Sequence, residues 1–261
     1  MDTIHIAAVS TNNYARHTAV MFNSILKNNK SNNTIHFYLV GNLSEENETK
    51  IKNSLENYPA KVYFFPVSET RFTGFKLFGY FKKEAYYRLL LPELLDESIE
   101  RVIYLDSDII VKHDINDLWK VNLNNYYLAA AQDLGQCASK ARKKTLSIPL
   151  HAGYFNSGVL VMDLKKWREH NIANQVIEFA KQNPNKLRSI DQDALNALLY
   201  NKWLELDPTW NYNTATINRG KSITDPAIIH FTGKRKPWSH DHHPLRNEYL
   251  RYLESTRWDI I

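Results

Sequence analysis

The sequence predicts an α/β fold, a mostly parallel central sheet flanked by helices. Three observations lead there. Strand and helix patterns alternate from Ile4 to Val67, and such alternation builds parallel sheets wrapped by helices. A continuous apolar run rich in Val, Ile and Tyr, Val102 to Leu105, lies mid-chain and reads as a strand buried on both faces. The composition, 43% hydrophobic and 23% charged over 261 residues, is that of a globular protein with a sizeable core. There is no repeat, low-complexity tract or Gly/Ser-rich linker, so residues 1–261 read as one domain, with a helical segment from about 240 to 261.

Ile4 to Val9 is the first predicted strand, and Thr11-Asn12-Asn13-Tyr14 is a polar turn. Ala15, Ala19, Phe22, Ile25 and Leu26 recur at helical spacing and predict a helix from Ala15 to Lys27. Thr34 to Val40 is a second strand, closed by Gly41. Ser44 caps the next helix, to about Glu56, and Glu45, Glu46 and Glu48 suit its dipole. Lys61 to Val67 is a third strand. Phe72 to Phe81 reads as a loop leading into a helix, Lys82 to Leu91, that stops near Pro92. Further strands are expected at Val102–Leu105, Ile109–Val111, Tyr126–Ala131, Val159–Met162, Leu204–Leu206 and Ala227–Phe231. Helices are expected at Asp114–Trp119, from Asp163 past Trp167, at Ile172–Gln182, from Ser189 to Tyr200 and at Glu248–Trp258; Gln136 to Leu146 is a helix or a mobile loop.

The chemistry centres on RVIYLDSDIIV, Arg101 to Val111. Its apolar run delivers Asp106 and Asp108, with Ser107 between them. Carboxylates are rarely buried unless paired or metal-bound, and open α/β sheets bind ligands in the crevice at their strand ends. Two carboxylates at this spacing suit a hard divalent cation, which in turn suits a phosphate. The triplet itself is common, and Asp191 and Asp193 form a second one that a helix dipole alone would explain. Arg88 sits among Tyr86, Tyr87, Leu89 and Leu90; such a head either snorkels to water, the reading favoured here, or meets an anion. Asn156-Ser157-Gly158 precedes a strand and is a plain turn or a hydroxyl-reading loop, with Gly158 permitting close backbone approach. His230 beside the last strand is ordinarily structural. Gly233 followed by Lys234, Arg235 and Lys236 is the kind of loop that holds phosphate. His240, Asp241, His242 and His243 lack the spacing of a closed zinc site and read as a solvated loop.

Lys plus Arg is 33 against 28 Asp plus Glu, a formal charge of +5. That suits an anionic ligand or a weak peripheral membrane contact and is too diffuse to argue for nucleic acid. Cys137 is the only cysteine, so no intrachain disulfide forms, and a reducing cytoplasm is the simplest home. The start, Met1-Asp2-Thr3, lacks the pattern of a secretory leader, and no apolar run approaches a bilayer's width.

An N-terminal strand into TNNYA, a segment bearing YYRL, then VIYLDSDIIV, FNSGVLVMDLKKWR, DQDALNALL and HFTGKRKPW occur in that order. The ordered set resembles family 8 glycosyltransferases, the group of bacterial lipopolysaccharide galactosyl- and glucosyltransferases and of glycogenin, over nearly the whole chain. The resemblance implies a Rossmann-like GT-A fold, a UDP-sugar donor, Mn²⁺ with Mg²⁺ as the alternative ion, and a carbohydrate-bearing acceptor on a glycan, lipid or protein. It implies transfer of glucose or galactose with retention, at the inner face of the membrane or free in the cytoplasm. By position it assigns Asp106, Asp108 and His230 to the metal, and Thr11 and Asn13 to the uridine. Arg88, Asn156, Asp191 and Gln192 fall around the donor sugar, Gly233 and Lys236 at the pyrophosphate, and Asp133 near sugar or acceptor. Ser107 and Ser157 count with the donor-binding set. Gln192 and Asp191 stand nearest the reacting carbon, where the Gln192 carbonyl dipole would stabilise an oxocarbenium-like transition state in a front-face reaction.

Two departures stand beside the resemblance. Thr11 replaces an acid that some bacterial members carry, and the chain stops at Ile261 where many continue into a basic tail. Two rival readings are a haloacid-dehalogenase-type phosphatase, which would place its Asp pair near the N-terminus, and a non-catalytic sugar-nucleotide-binding module of the same fold.

Overall fold

The computed structural model describes residues 3–31, 33–73, 75, 83–213 and 223–259. The chain opens β1 (Thr3–Val9), α1 (Ala15–Asn28), β2 (Thr34–Val40), α2 (Glu45–Ser54), β3 (Ala60–Phe65). These strands pair in parallel, β3 to β2 to β1, and β1 pairs in parallel with β4 (Arg101–Leu105). Beyond β4 come β7 (Val159–Asp163), β6 (Leu128–Ala130) and β8 (Trp203–Glu205), completing a seven-stranded sheet in the order β3-β2-β1-β4-β7-β6-β8. Only β7 runs against its neighbours, antiparallel to both β4 and β6.

The apolar run in β4 is buried on both faces, as its unbroken pattern predicts. Val102 and Tyr104 join the core on one side of the sheet and Ile103 and Leu105 the core on the other, the period of two expected of a strand. The first side is covered by α3 (Leu91–Leu94), α6 (Leu164–Glu169), α7 (Ile172–Gln182) and α8 (Ile190–Leu199); α1 and α4 (Ile115–Trp119) cover the second. A three-stranded sheet stands beside the main one. There β10 (Ile228–His230) pairs antiparallel with β5 (Ile109–Val111) and parallel with β9 (Tyr212–Asn213). Its register sets His230 opposite Ile109. That pairing brings the last strand to the aspartate pair.

Several boundaries differ from expectation. Residues 83–90 form a 3-10 helix, not an α-helix, and Pro92 opens α3 instead of ending the preceding helix; a missing N–H costs nothing in a first helical turn. Part of the predicted Phe72–Phe81 loop, and Lys82, lie outside the described residues. β3 ends at Phe65, because the Asn42 side chain takes both backbone groups of Val67, at 2.9 and 2.8 Å. Gln136 to Leu146 is ordered as a short 3-10 turn and α5 (Lys140–Thr145), capped by Ser139. The last helix, α9 (Arg246–Leu253), starts and ends earlier than its pattern suggests. No helix among the described residues is long and apolar enough to cross a membrane.

Candidate active site

β4 ends at Leu105, and the chain turns through Asp106-Ser107-Asp108 before β5. Asp106 is oriented by its neighbours. Its Oδ1 accepts from the Tyr104 hydroxyl at 2.8 Å and from Arg88 Nη2 at 3.1 Å. Its Oδ2 faces His230 Nε2 at 3.6 Å. Asp108 Oδ1 stands 3.2 Å from the same nitrogen, and its Oδ2 accepts from Lys236 Nζ at 2.5 Å. Burial alone would raise the Asp108 pKa, but Lys236 and His230 outweigh it and hold the carboxyl below its usual range. Ligand atoms of Asp106, Asp108 and His230 all lie within 4.8 Å of one another, the one such group found among the described residues. His240 to His243 form no comparable group there; His243 instead accepts from the Leu245 N–H at 3.1 Å.

Close packing leaves no room for a side chain at Gly158 unless His230 or Asp106 shifts. A Cβ there would stand 2.2 Å from a carbon of the His230 ring and 2.6 Å from Asp106 Oδ2, distances no side chain tolerates. The Gly158 carbonyl also accepts from the Asp106 N–H at 2.8 Å.

Arg88 does not snorkel. It is 5% exposed and pairs with Asp191 through Nε at 3.0 Å, besides its bond to Asp106. Its guanidinium lies over the Tyr104 ring, 4.3 Å from the centroid, and Nη1 donates to the Ser157 carbonyl. So one cation ties β4, the Asn156 loop and α8 together. Asp191 is 4% exposed, and its pKa is raised to about 6 by burial, opposed by Arg88 and helped by Asp106. The second acid of that triplet is no helix-dipole residue either. Asp193 is fully buried, bonded to Arg142 Nε at 2.9 Å, to the Tyr154 hydroxyl at 2.7 Å and to two backbone N–H groups.

Gln192 differs from the expectation of a free carbonyl dipole. Its Oε1 accepts from the Ser157 N–H at 3.1 Å and from Asn156 Nδ2 at 3.2 Å, and its NH₂ donates to Asp133 Oδ2 at 2.9 Å. The oxygen's two lone pairs are spent inside the protein. Ser107 also bonds inward, donating to the Val9 carbonyl at 2.6 Å and accepting from Thr18 at 2.9 Å. Ser157 Oγ donates to Asp191 at 3.3 Å.

Two adjoining cavities share Tyr14, Arg88, Asp106 and Asp108. The larger, about 590 Å³, is bounded by Asp133, Asn156, Ser157, Asp191, Gln192, His230, Gly233 and Lys236. The smaller, about 330 Å³, is bounded by Thr11, Asn13 and Ser107. All the site residues expected from the sequence thus line one continuous cleft. Gly233, at φ +82°, adopts the left-handed conformation that favours glycine. The loop it begins is pinned at its far end, where Trp238 stacks on His17 with ring centroids 3.7 Å apart.

Three contributors escaped the sequence reading. Tyr104 reads only as a strand residue, Asn211, whose Oδ1 faces His230 Nδ1 at 2.9 Å, matches no motif, and His17 lies on a helix face. Their roles come from contacts across the fold.

The model of Glycosyl transferase family 8 matches residues 5–242. General stress protein A of Bacillus subtilis (strain 168) is 35% identical, with all of this chain and 96% of that protein aligned. Lipopolysaccharide 1,2-glucosyltransferase of Escherichia coli (strain K12) is 29% identical over 94% of this chain and 76% of that protein. The crystal structure of the galactosyltransferase LgtC with donor and acceptor sugar analogues superposes with a TM-score of 0.89 at 25% identity, covering 100% of this chain and 98% of that one.

Proposed function

The chain belongs to glycosyltransferase family 8 and is a glycosyltransferase of GT-A fold, and on that premise we propose that it transfers glucose or galactose from a UDP-sugar, with retention and in a Mn²⁺-dependent reaction, to a carbohydrate-bearing acceptor. Membership removes the phosphatase reading; turnover of a UDP-sugar, against binding alone, separates the enzyme from a non-catalytic module of the same fold. One observation carries the proposal: two carboxylates and an imidazole converge beside Lys236, at the end of a central strand.

The donor set fits the expected ion. Two carboxylate oxygens and one imidazole nitrogen suit Mn²⁺ better than a soft metal, with Mg²⁺ as the alternative. Asp106, Asp108 and His230 would hold it, and when bound it neutralises charge developing on the departing diphosphate. The chain's own groups do the rest. Lys236 stands at Asp108, placed to meet phosphate oxygens, and the Gly233 backbone leaves room for a diphosphate to approach. Thr11 and Asn13 border the smaller cavity, where the nucleoside would lie, and a Thr11 hydroxyl can pair with a uracil edge. Asp133, Asn156 and Ser157 border the larger one, where sugar hydroxyls need donors and acceptors. Asp191, paired with Arg88 at 3.0 Å against the burial that raises its pKa, supplies negative charge beside an oxocarbenium-like transition state. Gln192 holds Asp133 and the Asn156 loop in place. The reading takes 1–261 as one catalytic domain at the cytoplasmic face, with a weak peripheral membrane contact.

The test is a screen of UDP-sugars for UDP release in Mn²⁺, followed by NMR of the first-formed product. UDP-glucose or UDP-galactose should be turned over, and an α-linked donor should give an α-linked product. Preference for GDP-sugars, or a β-linkage, would overturn the reading.

A further inference from the structure

Three buried amides beneath the cleft, Gln192, Asn156 and Asn211, point one way, and the line ends at a carboxylate. Asp133 is 8% exposed; its Oδ1 accepts from the Gly135 N–H at 2.6 Å, and its Oδ2 faces Gln192 at 2.9 Å. The Gln192 NH₂ donates to that oxygen. The Gln192 oxygen then lies on the far side, where the Ser157 N–H donates to it at 3.1 Å. A backbone N–H never accepts, so Ser157 fixes that orientation.

The pattern repeats down the line. Asn156 gives its NH₂ to Gln192 at 3.2 Å, and its Oδ1 accepts from the Gly158 N–H at 3.0 Å. That oxygen also accepts the Asn211 NH₂ at 2.8 Å. Asn211 is 2% exposed, and with its NH₂ spent it has only Oδ1 left to face His230 Nδ1, at 2.9 Å. An amide oxygen accepts, so the ring carries a proton on Nδ1. Nε2, the atom that faces Asp106 and Asp108, is then the nitrogen available to a metal.

We infer that Gln192, Asn156 and Asn211 form a one-way hydrogen-bond relay, anchored at Asp133, that keeps the His230 proton on Nδ1, and that Asn211 is thereby a positioning residue for metal binding. The inference rests on the metal reading above and extends it to the tautomer of one ligand. The need is specific. Asp106 and Asp108 are themselves acceptors and draw a proton to Nε2, which would close that nitrogen to a cation. The relay works against them. It also joins the residues bordering the sugar pocket to the metal centre through side chains that do not flip independently, each being held by a backbone N–H or by its neighbour.

The test uses the full chain with ¹⁵N-labelled histidine rings, metal-free at pH 8, with the His230 signals identified by their loss in His230→Gln. In the parent protein Nδ1 should be protonated. Asn211→Asp still accepts from Nδ1 and should keep that proton. Asn211→Leu cannot accept and should lose it; Asn211→Ser, too short to reach the ring, should behave likewise and serves if the Leu variant does not fold. Calorimetry with Mn²⁺ alone should show a roughly 10- to 100-fold weaker affinity in the Leu or Ser variant and a smaller loss in the Asp variant. An unprotonated Nδ1 in the parent, or unchanged Nδ1 and Mn²⁺ affinity in a folded Leu or Ser variant, would overturn the relay. Failure of the parent to take up Mn²⁺ would sink the metal reading instead, and the nitrogen signals would still judge the relay.

Discussion

At the scale of single residues, the site is held by charges that cannot leave. Asp108 is gripped from two sides, by His230 and by Lys236. Asp108→Asn removes one anionic group where charge is being stabilised and should cost at least roughly 100-fold in transfer rate. EDTA should abolish turnover and Mn²⁺ restore it; full activity in EDTA would sink the metal assignment. Gln192 and Asp191 separate by role. Gln192→Ala loosens the groups around it and should slow transfer by about 10- to 100-fold. Asp191→Asn should do more harm, because it removes the carboxylate paired with Arg88 at 3.0 Å and leaves that buried cation with one anionic partner fewer. Initial rates at matched melting temperature decide it. Equal, small effects would limit both residues to holding the cleft together, with no part in the transfer step.

At the scale of elements, the small sheet matters as much as the large one. β4 delivers the aspartates, but β10 brings His230 to them only because it pairs with β5 in a fixed register. The loop before β7 closes the third side, and Gly158 is its contact point. Gly158→Ala should push the His230 ring and Asp106 apart, since the added methyl would overlap both. The expected result is loss of Mn²⁺ affinity and of activity, with the far-ultraviolet circular dichroism of a folded protein. Wild-type metal affinity in that variant would show that the loop yields more easily than its packing implies.

At the scale of the whole molecule, the C-terminal segment is fastened over the N-terminal helix, and that fastening carries a pH dependence. His17 on α1 stacks on Trp238 and bonds the Tyr249 hydroxyl of α9 at 2.7 Å. Burial, reinforced by Arg16, lowers its pKa to about 3. Between about 3 and 6.5 the unfolded chain therefore binds a proton at this residue that the native state does not. Stability rises with pH across that window and is lost as pH falls through it, by at most about 1.4 kcal/mol per pH unit for one group. His5, lowered to about 4 by burial and by His36, adds to the same slope. His17→Phe keeps a ring against Trp238 and should flatten the profile below pH 6.5 without abolishing it. At neutral pH it should cost about 1 kcal/mol for the lost Tyr249 bond. Urea melts from pH 4 to 8 measure both; a variant with the parent's slope would exclude His17 as a source.

The residues by themselves determined a mostly parallel sheet, the order of strands and helices along the chain, and the aspartate pair at the end of β4, but not the antiparallel β7 or the separate small sheet. Those features depend on local patterns, apolar runs and caps that neighbouring residues enforce. The ordered motifs also determined the family and which side chains line the cleft. Only the tertiary structure decided what those side chains do to one another. Arg88 reads as a snorkelling cation until β4 and α8 bring Asp106 and Asp191 to it. Asp193 reads as a helix-dipole acid until Arg142, 51 positions away, is buried against it. Asn211 carries no pattern at all; it matters because β9 and β10 set it between His230 and Asn156. Propensity acts over a few residues, whereas the direction of a buried hydrogen bond depends on every partner the fold supplies.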